Sequence, residues 1–373
     1  MADTVITYVK KYGDYTFIEK PLNDVDSLVL CQLSYLKFDG LVPSLKPRLK
    51  AVSLRQVAAD KAVDALFLDK RYEESNRALF EAVCKSRRYR RLKMNYYVNH
   101  IDTEQETQFS AITFFLEGGL NFIAFRGTDE TLIGWKEDFN MAFQTPVPGQ
   151  RYAVDYLETV AENLPRDFCL GGHSKGGNFA VYASMSCRKE IRERIQKIYS
   201  MDGPGFLPQM LKKGEYAEIE NRIVKILPNS SLVGMLFETS PRYKVVKSKS
   251  FGLLQHDPYS WLIEGDDFLC VKGIYGLRRF TDDTLNIWIC SLNPEKRKLL
   301  IDTIYQVISA SRAENLIELA ADWKKSMTGV LTGLKEVDAD TRRILISLMK
   351  DFVEMIAERL RAVRSIHKRS KET

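Results

Sequence analysis

The segment from Phe168 to Ser184, FCLGGHSKGGNFAVYAS, constrains the chain more than any other. Gly171, Gly172, Gly176 and Gly177 bracket His173, Ser174 and Lys175, between a short apolar run and an amphipathic one. Passing from a strand into a helix within two or three residues strains the central backbone and brings strand and helix very close, which neighbours without side chains permit. The central hydroxyl then stands above the sheet, beside the first N–H groups of the helix, where negative charge is favoured. The embedded pattern G-x-S-x-G arises by chance in about one chain in ten of this length. What singles it out is its setting, with a strand before it and a helix after it. The segment predicts a nucleophile elbow with Ser174 at its apex; the bland alternative is a glycine-rich turn with a bystander serine.

A serine hydroxyl is a poor nucleophile until a base takes its proton. The histidines are His100, His173, His256 and His367. His256, in LLQHDPYSW, follows the last expected strand and precedes a proline-marked loop, so it is the expected base. His173, inside the elbow, is expected to point away into packing under the turn. His100 precedes the crossover region of the sheet, and His367 lies in the basic tail. For the acid, Asp202 ends the run KIYSMD just before the sharp loop GPGF and is the preferred candidate, with Asp257 and Glu238 as alternatives. A strand followed by a turn is expected in FIAFRGTDETLIGWKEDF. Thr128 would there offer its N–H and hydroxyl to an oxyanion, alongside the amide of Lys175.

The rest of the chain supports an α/β fold with a mostly parallel central sheet. LVLCQLSYLKF (Leu28 to Phe38) and Asp60 to Lys85 have helical apolar spacing. From Met94, NYYVNHID, QFSAITFFLE and LNFIAFRG read as strands, the last two joined by a turn at Gly118 and Gly119. RDFCLGG, KIYSMD, RIVKIL and RYKVVKS follow as short strands, with a helix from Gly176 to Ile195, in the alternation that makes parallel sheets. Helices are expected again at Pro294–Ser311, Glu314–Leu334 and Ala339–His367. The organisation expected is a helical region over 1–92, an α/β core over 93–292 and a helical extension over 293–373.

Composition narrows the class. Apolar residues make up 45% and charged residues 28%, which fits an ordinary globular protein and does not indicate disorder. The net charge of +6 is concentrated in a C-terminal tail and in KSRRYRRLK, Lys85 to Lys93. That run is expected to be a solvated helix face, and no zinc-finger or RNP-like string supports nucleic-acid binding. The amphipathic basic helix at the C-terminus offers a peripheral membrane contact, against the more ordinary role of packing on the core or a partner. Six cysteines without a C-x-x-C suit buried thiols in a reducing compartment. With no signal-like start and no long apolar span, a cytoplasmic location is expected. No metal-binding motif appears, and no cofactor is called for.

FRGT followed by W-x-x-D (Trp135, Asp138) and then GGHSKGG resembles the class 3 lipases. Over nearly the whole length, NDVDSLVLCQLSYL, FRGTD, GGHSKGGN, MDGPGF and QHDPYSW resemble an uncharacterised family of bacterial lipase-like α/β-hydrolases. The resemblance implies an α/β-hydrolase fold, Ser174 as nucleophile, His256 as base, and Thr128 with Lys175 as oxyanion donors. One departure stands out. Class 3 lipases place the acid in a stretch that here reads ILPNSSLVG, Ile226 to Gly234, without a carboxylate. Either Asp202 has taken over, or Ser231 or Asn229 occupies the place and the triad is weakened. The expected activity is cleavage of a carboxylic ester, of an acyl lipid or an acylated small molecule, through an acyl-enzyme. Acyl transfer on the same site, or a degenerate hydrolase serving as a binding scaffold, are the competing expectations.

Overall fold

The computed structural model describes residues 3–46, 49–68, 72–129, 132–141, 144–212, 214–238, 240, 242–273, 284, 286–310, 343, 344, 347 and 350. Eight strands form one sheet whose spatial order follows the chain: β1 (Val52–Ser53), β2 (Lys93–Asp102), β3 (Thr107–Phe115), β4 (Asn121–Phe125), β5 (Phe168–His173), β6 (Ile195–Met201), β7 (Ile223–Pro228) and β8 (Lys244–Val246). β1 to β4 pair antiparallel, and β4 to β8 pair parallel. The change of sense follows from the connections. Between β3 and β4 lies only a tight turn, with Gly118 and Gly119 at φ of 86° and 93°. β4 to β7 are joined by longer segments carrying helices, which parallel pairing requires.

The helices that position the site are α1 (Val5–Tyr12), α2 (Asp24–Leu33), α3 (Leu54–Ala58), α4 (Glu73–Lys85), α5 (Leu132–Asn140), α6 (Pro148–Asn163) and α7 (Lys175–Ser186). Successive strand residues point to opposite faces. A side chain on Gly171 would meet Cys31 of α2, and one on Gly172 would meet Gly176 of α7, so α2 and α7 cover opposite faces of β5. Every residue of β4 and β5 is accordingly buried, as expected of strands covered on both sides.

Several helix boundaries differ from the sequence expectation for identifiable reasons. α2 begins at Asp24 because the Asn23 side chain accepts the Asp26 N–H at 2.8 Å and the Asp26 carboxylate accepts the Asn23 N–H at 3.1 Å. The expected continuous helix over Asp60 to Lys85 is two pieces. A 3-10 turn, Val63–Phe67, folds back on α4, with Asp64 bonded to Arg77 at 2.9 Å and the Phe67 and Phe80 rings 5.7 Å apart. After Ser186 the chain breaks before a short helix, Lys189–Arg192, so the expected helix to Ile195 is also divided. The run KSRRYRRLK is not a solvated helix face. α4 ends at Lys85, and Arg88 turns inward with its side chain only 1% exposed. It meets the buried carboxylate of Asp26 through Nε at 2.8 Å and through Nη2; Tyr8 and Tyr89 hydroxyls donate to the same carboxylate.

Contacts divide the chain into two compact units, Met1–Asp138 with Pro146–Ile274, and Phe139–Thr145 with Tyr275–Thr373. The first holds the sheet and α1 to α4. The second includes the helix Pro294–Ala310, capped by Asn293, whose Oδ1 accepts the Lys296 N–H at 2.8 Å. The expected helices Glu314–Leu334 and Ala339–His367, and with them His367 and the basic tail, lie almost wholly outside the described residues. Among the described residues no helix is long and apolar enough to cross a membrane. All six cysteines are free; Cys31, Cys169 and Cys187 are buried, Cys84 and Cys290 partly so, and Cys270 is exposed.

Candidate active site

Ser174 sits between the last residue of β5 and the first of α7, with φ 58° and ψ −131°. Residues other than glycine rarely adopt that conformation, and one persists only where its surroundings enforce it. Here the Ser174 N–H donates to the Met201 carbonyl and the Gly177 N–H to the Ser174 carbonyl, each at 2.9 Å. A Cβ on Gly172 would overlap the backbone of Gly176, and one on Gly176 would overlap the Phe125 carbonyl. One on Gly177 would lie 2.9 Å from Ser200 Oγ. The four glycines are therefore explained by close approach, each to a different neighbour.

Three residues far apart in sequence meet at this apex. His256 Nε2 is 2.9 Å from Ser174 Oγ, and His256 Nδ1 is 2.6 Å from Asp202 Oδ2. Asp202 is fully buried, at the end of β6, where its N–H donates to Ile226 at 2.8 Å and its φ is 48°. Its other oxygen, Oδ1, accepts the Ser231 hydroxyl and the Gly234 N–H at 3.2 Å. Ser231 thus holds the acid and does not replace it. Asn229 turns elsewhere, its Oδ1 accepting the Ser248 N–H at 3.3 Å. The alternative acids also have other partners. Asp257 caps the 3-10 turn Pro258–Ser260 through the Tyr259 N–H at 2.9 Å, and Glu238 pairs with Lys225.

His256 is delivered by a 3-10 turn, Gly252–His256, that is fastened from within. Gln255 accepts the Ser230 N–H at 2.8 Å and donates to the Ser250 carbonyl at 2.9 Å, and its own carbonyl accepts the Trp261 indole N–H at 2.8 Å. His173 is buried in packing, as expected, but against the base as well as against Tyr35 and Trp261. Its Nε2 is 2.9 Å from the His256 carbonyl, which can only accept, so Nε2 carries the proton. In the neutral ring Nδ1 then accepts from the Tyr35 hydroxyl at 3.0 Å, and the two imidazoles lie 4.6 Å apart. His100 is remote, in β2 beside Tyr152.

The Arg126–Thr128 turn lies directly against the elbow. A Cβ on Gly127 would stand 2.6 Å from the His173 carbonyl and 3.1 Å from Ser174 Cβ. The Thr128 hydroxyl, expected to be offered to an oxyanion, donates instead to Asp138 Oδ2 at 2.5 Å. Lys175 supplies its backbone N–H at the first turn of α7, where no intrahelical acceptor exists. Its ammonium is fully buried and paired with Glu137 at 3.0 Å. Glu137 further accepts the Gln108 N–H at 3.1 Å and the Gly149 N–H at 2.7 Å. Beside it, Asp138 has its carboxyl pushed up to about 6, chiefly by desolvation, against the pull of Lys175 and the Thr128 hydroxyl.

Tyr35, Glu137 and the roles of His173 and Asp138 escaped sequence reasoning. Only Asp138 left a signal, in its W-x-x-D spacing after FRGT. Among the described residues no cluster of His, Cys, Asp or Glu could hold a metal ion.

A strained serine, an imidazole and a buried carboxylate thus stand in line at the carboxyl edge of a mixed sheet flanked by helices. The chain belongs to the Mbeg1-like family, whose model matches residues 83–306, and that family is lipase-like. No curated protein matches the chain.

Proposed function

We propose that the protein is a cytoplasmic serine hydrolase of the α/β-hydrolase fold, akin to the class 3 lipases, that cleaves a carboxylic ester through an acyl-enzyme on Ser174. The observation that carries this reading is the unbroken line from Ser174 Oγ through His256, 2.9 Å on one side, to Asp202, 2.6 Å on the other. Asp202 accepts a hydrogen bond from Nδ1–H, which keeps the proton on Nδ1 and leaves Nε2 free to take the serine proton. As Oγ bonds to the ester carbon, that proton passes to Nε2, and the negative charge on the carbonyl oxygen faces the N–H groups of Thr128 and Lys175. The imidazolium then protonates the leaving alcohol as the ester C–O bond breaks. Water, deprotonated by the same imidazole, then adds to the acyl carbon; the acyl–Oγ bond breaks, the imidazolium returns its proton to Ser174 Oγ, and the acid leaves.

A binding-only role rested on the lack of a carboxylate in ILPNSSLVG. With Ser231 bonded to Asp202, that stretch supports an acid supplied by the preceding strand, which favours the hydrolase. Free thiols throughout support a reducing compartment.

A fluorophosphonate probe tests the reading. Wild type is expected to label and Ser174→Ala to remain unlabelled. A folded wild type that resists the probe overturns it. A chain-length series of p-nitrophenyl esters then reports the acyl preference.

A further inference from the structure

The loop that delivers His256 has an unusual outer surface. Phe251 is 84% exposed, the most exposed large apolar side chain among the described residues, and Leu254, on the same turn, is 44% exposed. Neither is needed to hold the turn, which is fastened underneath by Gln255 and Trp261. Just before them stand Lys247 and Lys249, both exposed. Lys244, by contrast, is occupied with Asp24 at 2.7 Å and Asp267 at 3.3 Å. From Lys244 to His256, KVVKSKSFGLLQH, there is no acidic residue.

An exposed aromatic and a leucine flanked by cations suit one kind of surface. Apolar tips enter the acyl boundary while lysines remain among anionic headgroups. We propose that the 247–254 strap is a docking surface for an anionic lipid bilayer, which brings the serine site to acyl chains at the lipid–water interface. The choice of a bilayer over a protein rests on charge complementarity: two exposed apolar side chains stand beside two exposed lysines in a run without an acidic residue. In its purpose the proposal rests on the hydrolase reading; docking itself involves no chemistry and is measured without it.

The test is sedimentation of the full chain with phosphatidylcholine vesicles, with and without phosphatidylglycerol. Wild type should sediment with the mixed vesicles and far less with pure phosphatidylcholine, and added salt should weaken binding. Phe251→Ser with Leu254→Ser, and separately Lys247→Gln with Lys249→Gln, should each lower the partition coefficient by about tenfold or more. Melting curves confirm that each variant is folded. Wild type that ignores both vesicle types makes the patch a protein-contact surface and overturns the proposal. So does binding that neither double variant weakens, because the contact then lies elsewhere. Fluorophosphonate labelling of wild type without vesicles separates the two readings: labelling without sedimentation sinks docking alone, and sedimentation without labelling sinks the hydrolase alone.

Discussion

Both carboxylate oxygens of Asp202 are committed, Oδ2 to His256 at 2.6 Å and Oδ1 to Ser231 and the Gly234 N–H at 3.2 Å. Asp202→Asn would set an amide N–H or a weaker acceptor against the imidazole and favour the wrong tautomer. The expected cost is about ten-thousandfold in kcat on a p-nitrophenyl ester. Asp257→Asn keeps an acceptor for the Tyr259 N–H and should cost far less; equal losses would remove Asp202 from the triad. Asp138 calls for a different measurement. Its folded carboxyl titrates at about 6 against an ordinary 3.8, so in the native state the ionised form is disfavoured. Below about pH 4 both states hold the proton; between there and pH 6 only the folded state does, so stability falls as pH rises, by about 2–3 kcal/mol once above 6. Asp138→Asn, which still accepts from Thr128, should therefore raise Tm at about pH 7.5 and change it little at about pH 4. A Tm difference independent of pH would show that burial of the charge is not what destabilises.

At the scale of elements, the strand–turn–helix unit β5–α7 is where backbone geometry and chemistry coincide. Gly176 lies against the Phe125 carbonyl at the end of β4, so the start of α7 packs on β4 without room for a side chain. Gly176→Ala would force the helix away from β4, at about 2–3 kcal/mol, and displace both Ser174 and the Lys175 amide. Lower Tm together with lost fluorophosphonate labelling is expected; retained labelling at wild-type rate would show that the elbow tolerates the shift. Around that unit, Asn178 of α7 donates to the Pro204 and Gly205 carbonyls at 3.2 and 3.0 Å, which ties the loop after Asp202 to the helix that carries the serine. The acid and the nucleophile are thus referenced to one another through α7, and the base to the acid through Ser230, Ser231 and Gln255.

For the molecule's sheet-bearing unit, the N-terminal helices are fixed by one buried charge cluster. Asp26 in α2 gathers Arg88, Tyr8, Tyr89 and the Asn23 N–H, joining α1, α2 and the turn after α4. Arg88→Ala leaves a carboxylate buried without its cation, so a loss of about 3–5 kcal/mol in denaturant unfolding is expected. A change below about 1 kcal/mol would mean that Tyr8 and Tyr89 suffice to stabilise the charge. How much of this was legible varies with the range of the interaction. The elbow could be read because four glycines, a strand and a helix act within a few residues of Ser174, and the alternation of β4 to β8 could be read because connection length decides strand sense. The sequence likewise made His256 and Asp202 the leading candidates for base and acid, through their positions after strands. It could not say that Ser231 supports Asp202, that the Thr128 hydroxyl is spent on Asp138, or that His173 leans on His256, because each is settled by partners brought from 10 to 83 positions away. Nor could it separate Arg88 from the exposed arginines beside it: a basic run looks the same whether its members meet water or a buried carboxylate, and only packing places Asp26 opposite one of them. Local steric rules wrote the elbow into the chain, while the pairing of polar groups was left to the tertiary structure, since a hydrogen bond depends on where its partner is carried and not on what stands next to it.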